Sequence, residues 1–491
     1  VEESRVSNEG SGRVLAIGMD AAESSMVRDM VEAGELPALK ALLDQGTWSR
    51  VTSPAEYSSG AVWPSFSTGL DACDHAMYSL WNWDPATMAM KYSDAGDLEP
   101  FWKGLSGDGA TVGVLDVPFA PFLGVTEGFE VAEWGPHDRV QGRVRVSPDA
   151  LTDMVTKDVP PHPFADALAR PPMEPESVAG FLDQCLTGVR RRGDLAHRLI
   201  TRTGPDVTVV VFPESHHGGH FLWHTVEPEL AMYADLPPSA LPGPTLADVY
   251  REIDRQVGRL VEATGPAATV LVFALHGMEP ARGVPSLLEP LLEELGLASL
   301  AVEADRRRSA LTALKRRIPA PLRNVYRRSV PLSMRSQWGR SAVLPSYDWS
   351  TTRAFALPIE HEGHIRVNLA GRESQGIVPP EEYDATCDAI EDALRALRTV
   401  DGRPVARHVV RPPRGAHAAG LPDVVVHWEP AAFESPVRVN GIDTTCIRRE
   451  QTGQHALDGF CITSGPGLTG TSGGTTTAED LHQLIAAARR P

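Results

Sequence analysis

Short, unbroken apolar runs recur along the chain, and between them apolar positions return every three or four residues. Runs of this kind, rich in Val and Ile, mark strands buried on both faces. They predict strands at Arg13–Met19 (RVLAIGM), Thr111–Val117 (TVGVLDV), Asp206–Phe212 (DVTVVVF), Ala268–Ala274 (ATVLVFA), His364–Leu369 (HIRVNL) and Asp423–Trp428 (DVVVHW). The helical periodicity between them predicts helices over Ser24–Gly34, over Leu36–Gly46 with Gly46 as the stop, within Glu176–Thr203 and over Thr245–Thr264. Strands alternating with helices predict an α/β fold, a sheet covered by helices on both faces. In such sheets ligands gather at the carboxyl ends of the strands.

That rule singles out three places. Asp20 follows the first strand. The stretch FPESHHGGHFLWH, Phe212–His224, follows the third and carries His216, His217, His220 and His224. His276 follows the fourth. Three strand ends thus deliver Asp or His to one edge, a juxtaposition that suits metal chemistry.

Composition changes this picture in two ways. The chain has 491 residues with a formal charge of 46 − 64 = −18, which argues against a nucleic-acid partner. No apolar run reaches the roughly 18 residues of a membrane span, so no membrane partner is expected. The amino-terminal VEESRVSNEGSG lacks the apolar core of a signal peptide. Five scattered cysteines form no CxxC pair. A cytoplasmic protein is expected. The charge is also uneven: Arg306–Tyr347 holds eleven Lys or Arg and no acid, so the rest of the chain sums to about −29. This basic stretch reads as a cap or lid insertion, 281–350, within one catalytic domain, 13–491, after a disordered tail, 1–12.

Six segments, in order, carry a resemblance. They are VLAIGMD (Val14–Asp20), SSGAVWPSFSTGLDACDHAMY (Ser58–Tyr78), FPESHHGGHFLWH, LHGM (Leu275–Met278), HIRVNLAGRESQGIV (His364–Val378) and GQHALDGFCITSGPG (Gly453–Gly467). Together they resemble the alkaline phosphatase superfamily, most closely its type I phosphodiesterase/nucleotide pyrophosphatase branch. The resemblance implies an alkaline phosphatase-like, mostly parallel sheet sandwiched between helices. It also implies a site for two divalent metals. One is held by an Asp, a His four residues later and a His near the carboxyl terminus. The other is held by the first Asp, an Asp-His pair and the oxygen of the nucleophile. The nucleophile's place falls on Ser59, with Ser58 as the alternative, ahead of a short helix expected near Gly60–Ala61. Backbone N–H groups at a helix start can hold an anion.

Two ligand positions depart from the family. His216 stands where the first pair has its Asp, and Leu275 where the second pair has its Asp. Asp20, His220, His276 and His455 match. The first set becomes His216, His220 and His455, with His217 as the alternative to His216. The second keeps Asp20, His276 and Ser59. Three imidazoles with an open position are a catalytic zinc arrangement, whereas Leu cannot ligate. Three Asp against two divalent ions leave +4 − 3 = +1; Asp20 alone gives +1 with a single ion. One zinc per chain is therefore expected, with a second divalent metal as the alternative. The expected function is metal-dependent hydrolysis of a phosphate mono- or diester of an anionic small molecule. The alternatives are a mononuclear zinc hydrolase or lyase of another reaction, and a binding protein. The HEGH at His361–His364 spaces its histidines three apart and is not a zinc-protease motif. Trp63, Trp81 and Trp83 are candidate pocket walls.

Overall fold

The computed structural model of the protein describes residues 12–93, 95, 97–135, 143–164, 175–228, 245–281, 287–300, 347–359, 362–413, 420–430, 432, 435–444, 451–466 and 474–489. All of the expected tail but Gly12, and residues 301–346 of the expected cap, lie outside the described residues.

The chain opens with β1 (Val14–Met19), helices α1 (Ser24–Glu32) and α2 (Pro37–Asp44), and β2 (Gly46–Thr52). A turn of 3-10 helix at Ser59–Ala61 leads into α3 (Val62–Thr68) and α4 (Ala72–His75). The hairpin β3 (Trp81–Asp84) and β4 (Ala89–Tyr92) follows, then α5 (Trp102–Gly107), β5 (Val112–Leu115), β6 (Gly128–Ala132) and β7 (Arg145–Ser147). Next come α6 (Pro175–Thr203), β8 (Val207–Phe212), α7 (Glu214–Leu222), α8 (Leu246–Thr264) and β9 (Thr269–Ala274). Beyond it lie β10 (Gly277–Pro280), α9 (Leu288–Glu294), β11 (Ala354–Leu357), β12 (Gly363–Val367) and a helix at Tyr383–Ala396. The chain continues through β13 (Ala406–Val410), β14 (Val424–Trp428), β15 (Val437–Val439) and β16 (Ile442–Thr444). It ends with β17 (Gly453–Ala456), β18 (Asp458–Ser464), β19 (Thr475–Thr477) and a helix at Ala478–Ala488.

Nine strands form the main sheet in the order β19-β2-β18-β9-β1-β8-β5-β6-β7. The central β9, β1, β8 and β5 run parallel. All six residues of β1, β8 and β9 are buried, as their unbroken apolar runs predict. Alternate residues feed two cores. Leu15, Ile17, Val210, Phe212, Val270 and Val272 pack toward α1, α2, α6 and α8. Ala16, Val209, Val211, Leu271, Phe273 and Leu275 pack toward α3 and the carboxyl-terminal helix. The α/β expectation holds. Each buried aliphatic side chain contributes about 1.5–3 kcal/mol, so this double-sided sheet is the rigid base on which the site is set. Helix α8 begins at a reciprocal capping box of Thr245 and Asp248.

Two readings need correction. Gly46 does not stop α2: the helix ends at Asp44, Gln45 caps it, and Gly46 opens β2, pressed against the Thr463 backbone. The strands read at His364–Leu369 and Asp423–Trp428 are not in the main sheet. They are β12 and β14 of a second, antiparallel sheet, ordered β11-β12-β14-β13. Their apolar runs are unbroken because this sheet has its own core, formed with α9 and the helix Tyr383–Ala396.

Candidate metal centre and pocket

The parallel strands bring Asp20, Glu214 and His276 to one edge, directly after β1, β8 and β9. Helix α7 starts one residue beyond β8, so His216 and His220, four apart, share one of its faces. His455 arrives from the far end of the sequence. It sits on β17, which pairs antiparallel with β10 so that His455 stands opposite Met278. Gly453 allows β17 to close on α7: a Cβ on it would overlap the carbonyl oxygen of Gly219. Thr452 N donates to His220 O at 2.7 Å across the same junction.

The three imidazoles converge. His216 Nε2 lies 2.8 Å from His455 Nε2 and 2.9 Å from His220 Nε2. His220 Nδ1 is 2.9 Å from Gly453 O. A carbonyl oxygen only accepts, so His220 carries its proton on Nδ1 and turns the lone pair of Nε2 inward. His216 Nε2 faces two other Nε2 atoms, yet one ring nitrogen holds either a proton or a lone pair. A cation at the convergence satisfies the inward lone pairs together, and the Nδ1–carbonyl bond is the usual way a ligating imidazole is oriented. The donor set therefore fits a metal ion. His216, His220 and His455 are also the described residues whose ligand atoms lie within 4.8 Å of one another.

The other site residues surround this group without joining it. Asp20 is buried; its Oδ1 accepts from Trp63 Nε1 at 2.8 Å, and its Oδ2 is 3.7 Å from His216 Nδ1. It thus stands behind His216, on the ring nitrogen that does not face the cluster. Ser215 Oγ donates to Asp20 O at 2.7 Å, tying α7 to β1. His276 packs edge-on to His455, ring centroids 4.7 Å apart. His217 packs edge-on against Phe164 at 4.7 Å. Leu275 is fully buried in the apolar core with Phe273 and Trp63. In this half of the site one Asp20 oxygen takes an indole N–H, and Leu275 offers no donor where the resemblance places an Asp.

Asp20, His216, His276 and His455 form one wall of a cavity of about 290 Å³. Ser58, Ser59 and Gly60 form another, at the turn that leads into α3. The alternatives Ser58 and Ser59 thus both reach the cavity. Ser58 is extended and buried, and Ser59 opens the turn. Trp63 and Trp81 line the cavity as well; Trp83 packs in the core of the second sheet. Asp20 is the one formally charged side chain among the described residues that line it.

The second sheet supports the serine turn from outside. His364 Nε2 donates to Tyr57 O at 2.9 Å, and His427 Nε2 to Glu56 O at 2.8 Å. This accounts for one half of the HEGH motif: His364 ties β12 to the residues just before Ser58. His361 lies outside the described residues.

A buried ionic network went unread in the sequence. Arg192 of α6 reaches Glu214 at 3.0 Å and Asp116 at 2.7 Å, and His162 lies 2.8 Å from Glu214; the four side chains are buried together. Burial alone would push the Glu214 carboxyl up, but Arg192 and the His162 hydrogen bond outweigh it and hold it at about 2. The network fixes the first residue of α7, two before His216. One signal was available: Asp116 follows β5 as Asp20 follows β1.

The type I phosphodiesterase / nucleotide pyrophosphatase family matches residues 14–431. No curated protein matches the sequence. Phosphonoacetate hydrolase from Sinorhizobium meliloti 1021, in complex with phosphonoformate, is similar in structure with a TM-score of 0.53 and 13% identity, over 97% of this chain and 96% of that chain. The same hydrolase in complex with phosphonoacetate gives 0.52 at the same identity and coverage. Human ectonucleotide pyrophosphatase / phosphodiesterase 5 gives 0.46 at 11% identity, over 96% of this chain and 94% of that chain. At these identities the first two likenesses show a shared fold. The family match runs through Asp20, Ser59, the α7 histidines and His276, and the chain belongs to the type I phosphodiesterase / nucleotide pyrophosphatase family of enzymes, a branch of the alkaline phosphatase superfamily.

Proposed function

We propose that this enzyme hydrolyses a phosphate mono- or diester of an anionic small molecule, with Ser59 as nucleophile and a single zinc ion held by His216, His220 and His455. The observation that carries this reading is the convergence of three imidazoles, His216 and His220 buried and His455 half-buried, beside a cavity that His216 and His455 line together with Ser59. Such a metal, when bound, supplies positive charge to the ester oxygens and acidifies water. Ser59 Oγ forms a bond to phosphorus as the bond from phosphorus to the departing alkoxide breaks, and the serine proton leaves with the alcohol. Water then cleaves the phosphoseryl ester and restores the hydroxyl, so one water is consumed and one alcohol and one phosphate acid are released. Asp20 orients His216, and the backbone of the Ser59–Ala61 turn receives the anion. The apolar setting of Leu275 and the Trp63–Asp20 hydrogen bond favour one ion over two.

The test combines metal content with turnover of an aryl phosphate diester. About one zinc per chain is expected, and Ser59→Ala should lower kcat by well over tenfold, more than about 1.4 kcal/mol in barrier. Two tightly held ions per chain would overturn the single-metal reading. A Ser59→Ala loss within tenfold would favour the second reading, a mononuclear hydrolase in which Ser59 only positions the substrate; the replacement of the family's Asp by Leu275 speaks for that alternative.

A further inference from the structure

We infer that the pocket selects a singly charged ester carrying a small apolar group, of aryl or branched-alkyl type, in preference to a nucleotide or a sugar phosphate. This rests on reading the pocket as the hydrolytic site. Away from the histidines, its wall is built from Leu80, Trp81, Met90, Phe119, Pro358 and Ile359. Ser79 is the one polar side chain of that wall among the described residues. The hydroxyls and ring nitrogens of a nucleoside would lose water against this surface and find few partners, whereas an apolar ring would gain by burial.

The wall is built into the fold. Trp81 and Met90 belong to the β3–β4 hairpin, whose register sets Trp81 opposite Tyr92, Asn82 opposite Lys91 and Trp83 opposite Met90. Side chains alternate along a strand, so Trp81, Trp83, Met90 and Tyr92 share one face and exposed Lys91 lies on the other. The hairpin's cation is thereby turned away from the substrate. Trp81 stacks edge-on to Tyr92 at 5.3 Å, Trp83 packs on Phe355 at 4.8 Å and donates to Glu373 at 2.9 Å. These contacts hold the wall in place before any ligand arrives. The cavity, about 290 Å³, lies at the small end of the roughly 300–1,000 Å³ common for ligand sites. One divalent ion beside Asp20 leaves a net +1, which suits a monoanion.

The test uses zinc-loaded protein and two diesters of equal charge and the same leaving group, phenyl para-nitrophenyl phosphate and thymidine para-nitrophenyl phosphate. The phenyl ester should have the higher kcat/KM by at least tenfold. Trp81→Ser should reduce that ratio at least tenfold, chiefly through KM, while Trp81→Phe preserves it; zinc content and thermal unfolding of each variant report on folding. Calorimetric binding of phenylphosphonate against thymidine monophosphate reads the same preference without turnover, with at least tenfold tighter phenylphosphonate binding expected. Equal or better use of the thymidine ester, a ratio unmoved by Trp81→Ser, or phenylphosphonate binding no tighter than the nucleotide would overturn the inference while leaving the hydrolase reading intact. Cleavage of neither diester, nor of phenyl phosphate, together with selective phenylphosphonate binding would sink the hydrolase reading and keep the pocket assignment.

Discussion

His216, His220 and His217 share five residues of sequence but meet different surroundings. His216 and His220 turn their Nε2 atoms toward His455, whereas His217 lies against Phe164. His220→Ala and His455→Ala should each release the metal and abolish turnover, because each removes one of three protein donors. His217→Ala should keep the metal. Zinc analysis of the purified variants checks this, and loss of zinc from His217→Ala with retention in His216→Ala would reverse the register. Asp20, the α7 histidines and His276 were legible because each follows an unbroken apolar run that could only be a buried strand. His455 was legible only through resemblance, since no local pattern links it to α7, 239 residues from His216. The Arg192–Glu214–Asp116 network was not read at all. Its members are 22 and 76 residues apart and carry no periodic signature, and a charged side chain in a helix reads as solvent-facing until its partner is known.

At the scale of elements, the centre depends on how closely β17 approaches α7. Gly453 lies where any Cβ would strike the Gly219 carbonyl, and the same backbone oxygen that orients His220 belongs to Gly453. Gly453→Ala should therefore push the strand outward and withdraw His455 while the main sheet stays formed. A drop in zinc affinity of at least tenfold, with far-ultraviolet circular dichroism unchanged, is the expected outcome; unaltered affinity in a chelator competition would show that the contact is dispensable. The strand assignments illustrate where pattern alone stops. The runs in β12 and β14 predict buried strands correctly, but an apolar run does not say which sheet buries it. The second sheet became visible only through pairing, and with it the part His364 plays.

At the scale of the whole molecule, buried histidines set a limit on acid stability. Burial lowers His224 and His364 to about 4 each, against about 6.5 in an unfolded chain. The unfolded chain therefore takes up these protons first as pH falls. Stability should be full above about pH 6.5 and decline as pH drops toward 4, by up to roughly 3 kcal/mol for each group. Glu214 acts in the same sense over a more acid window: its contribution is present above about 4.5 and fades as pH falls toward 2. Denaturant unfolding of chelator-treated protein at several pH values should show the midpoint falling mainly between pH 6.5 and 4; a flat midpoint over that interval would mean these rings are not buried neutral. Among the described residues no helix is long and apolar enough to cross a membrane.

The position of β18 bears on how the protein is made. This strand lies between β2 and β9 in the middle of the sheet, yet it is formed from residues 458–464. While a ribosome is still translating, β2 and β9 have an empty slot between them, and His455 has not yet reached α7. Only when residues 458–464 are available can this interior strand join them, antiparallel to both neighbours. A chain stalled before β17 lacks the third imidazole together with β18 and β19, the two partners of β2, so β2 stands unpaired and one edge of β9 is open, edges that a chaperone would need to cover.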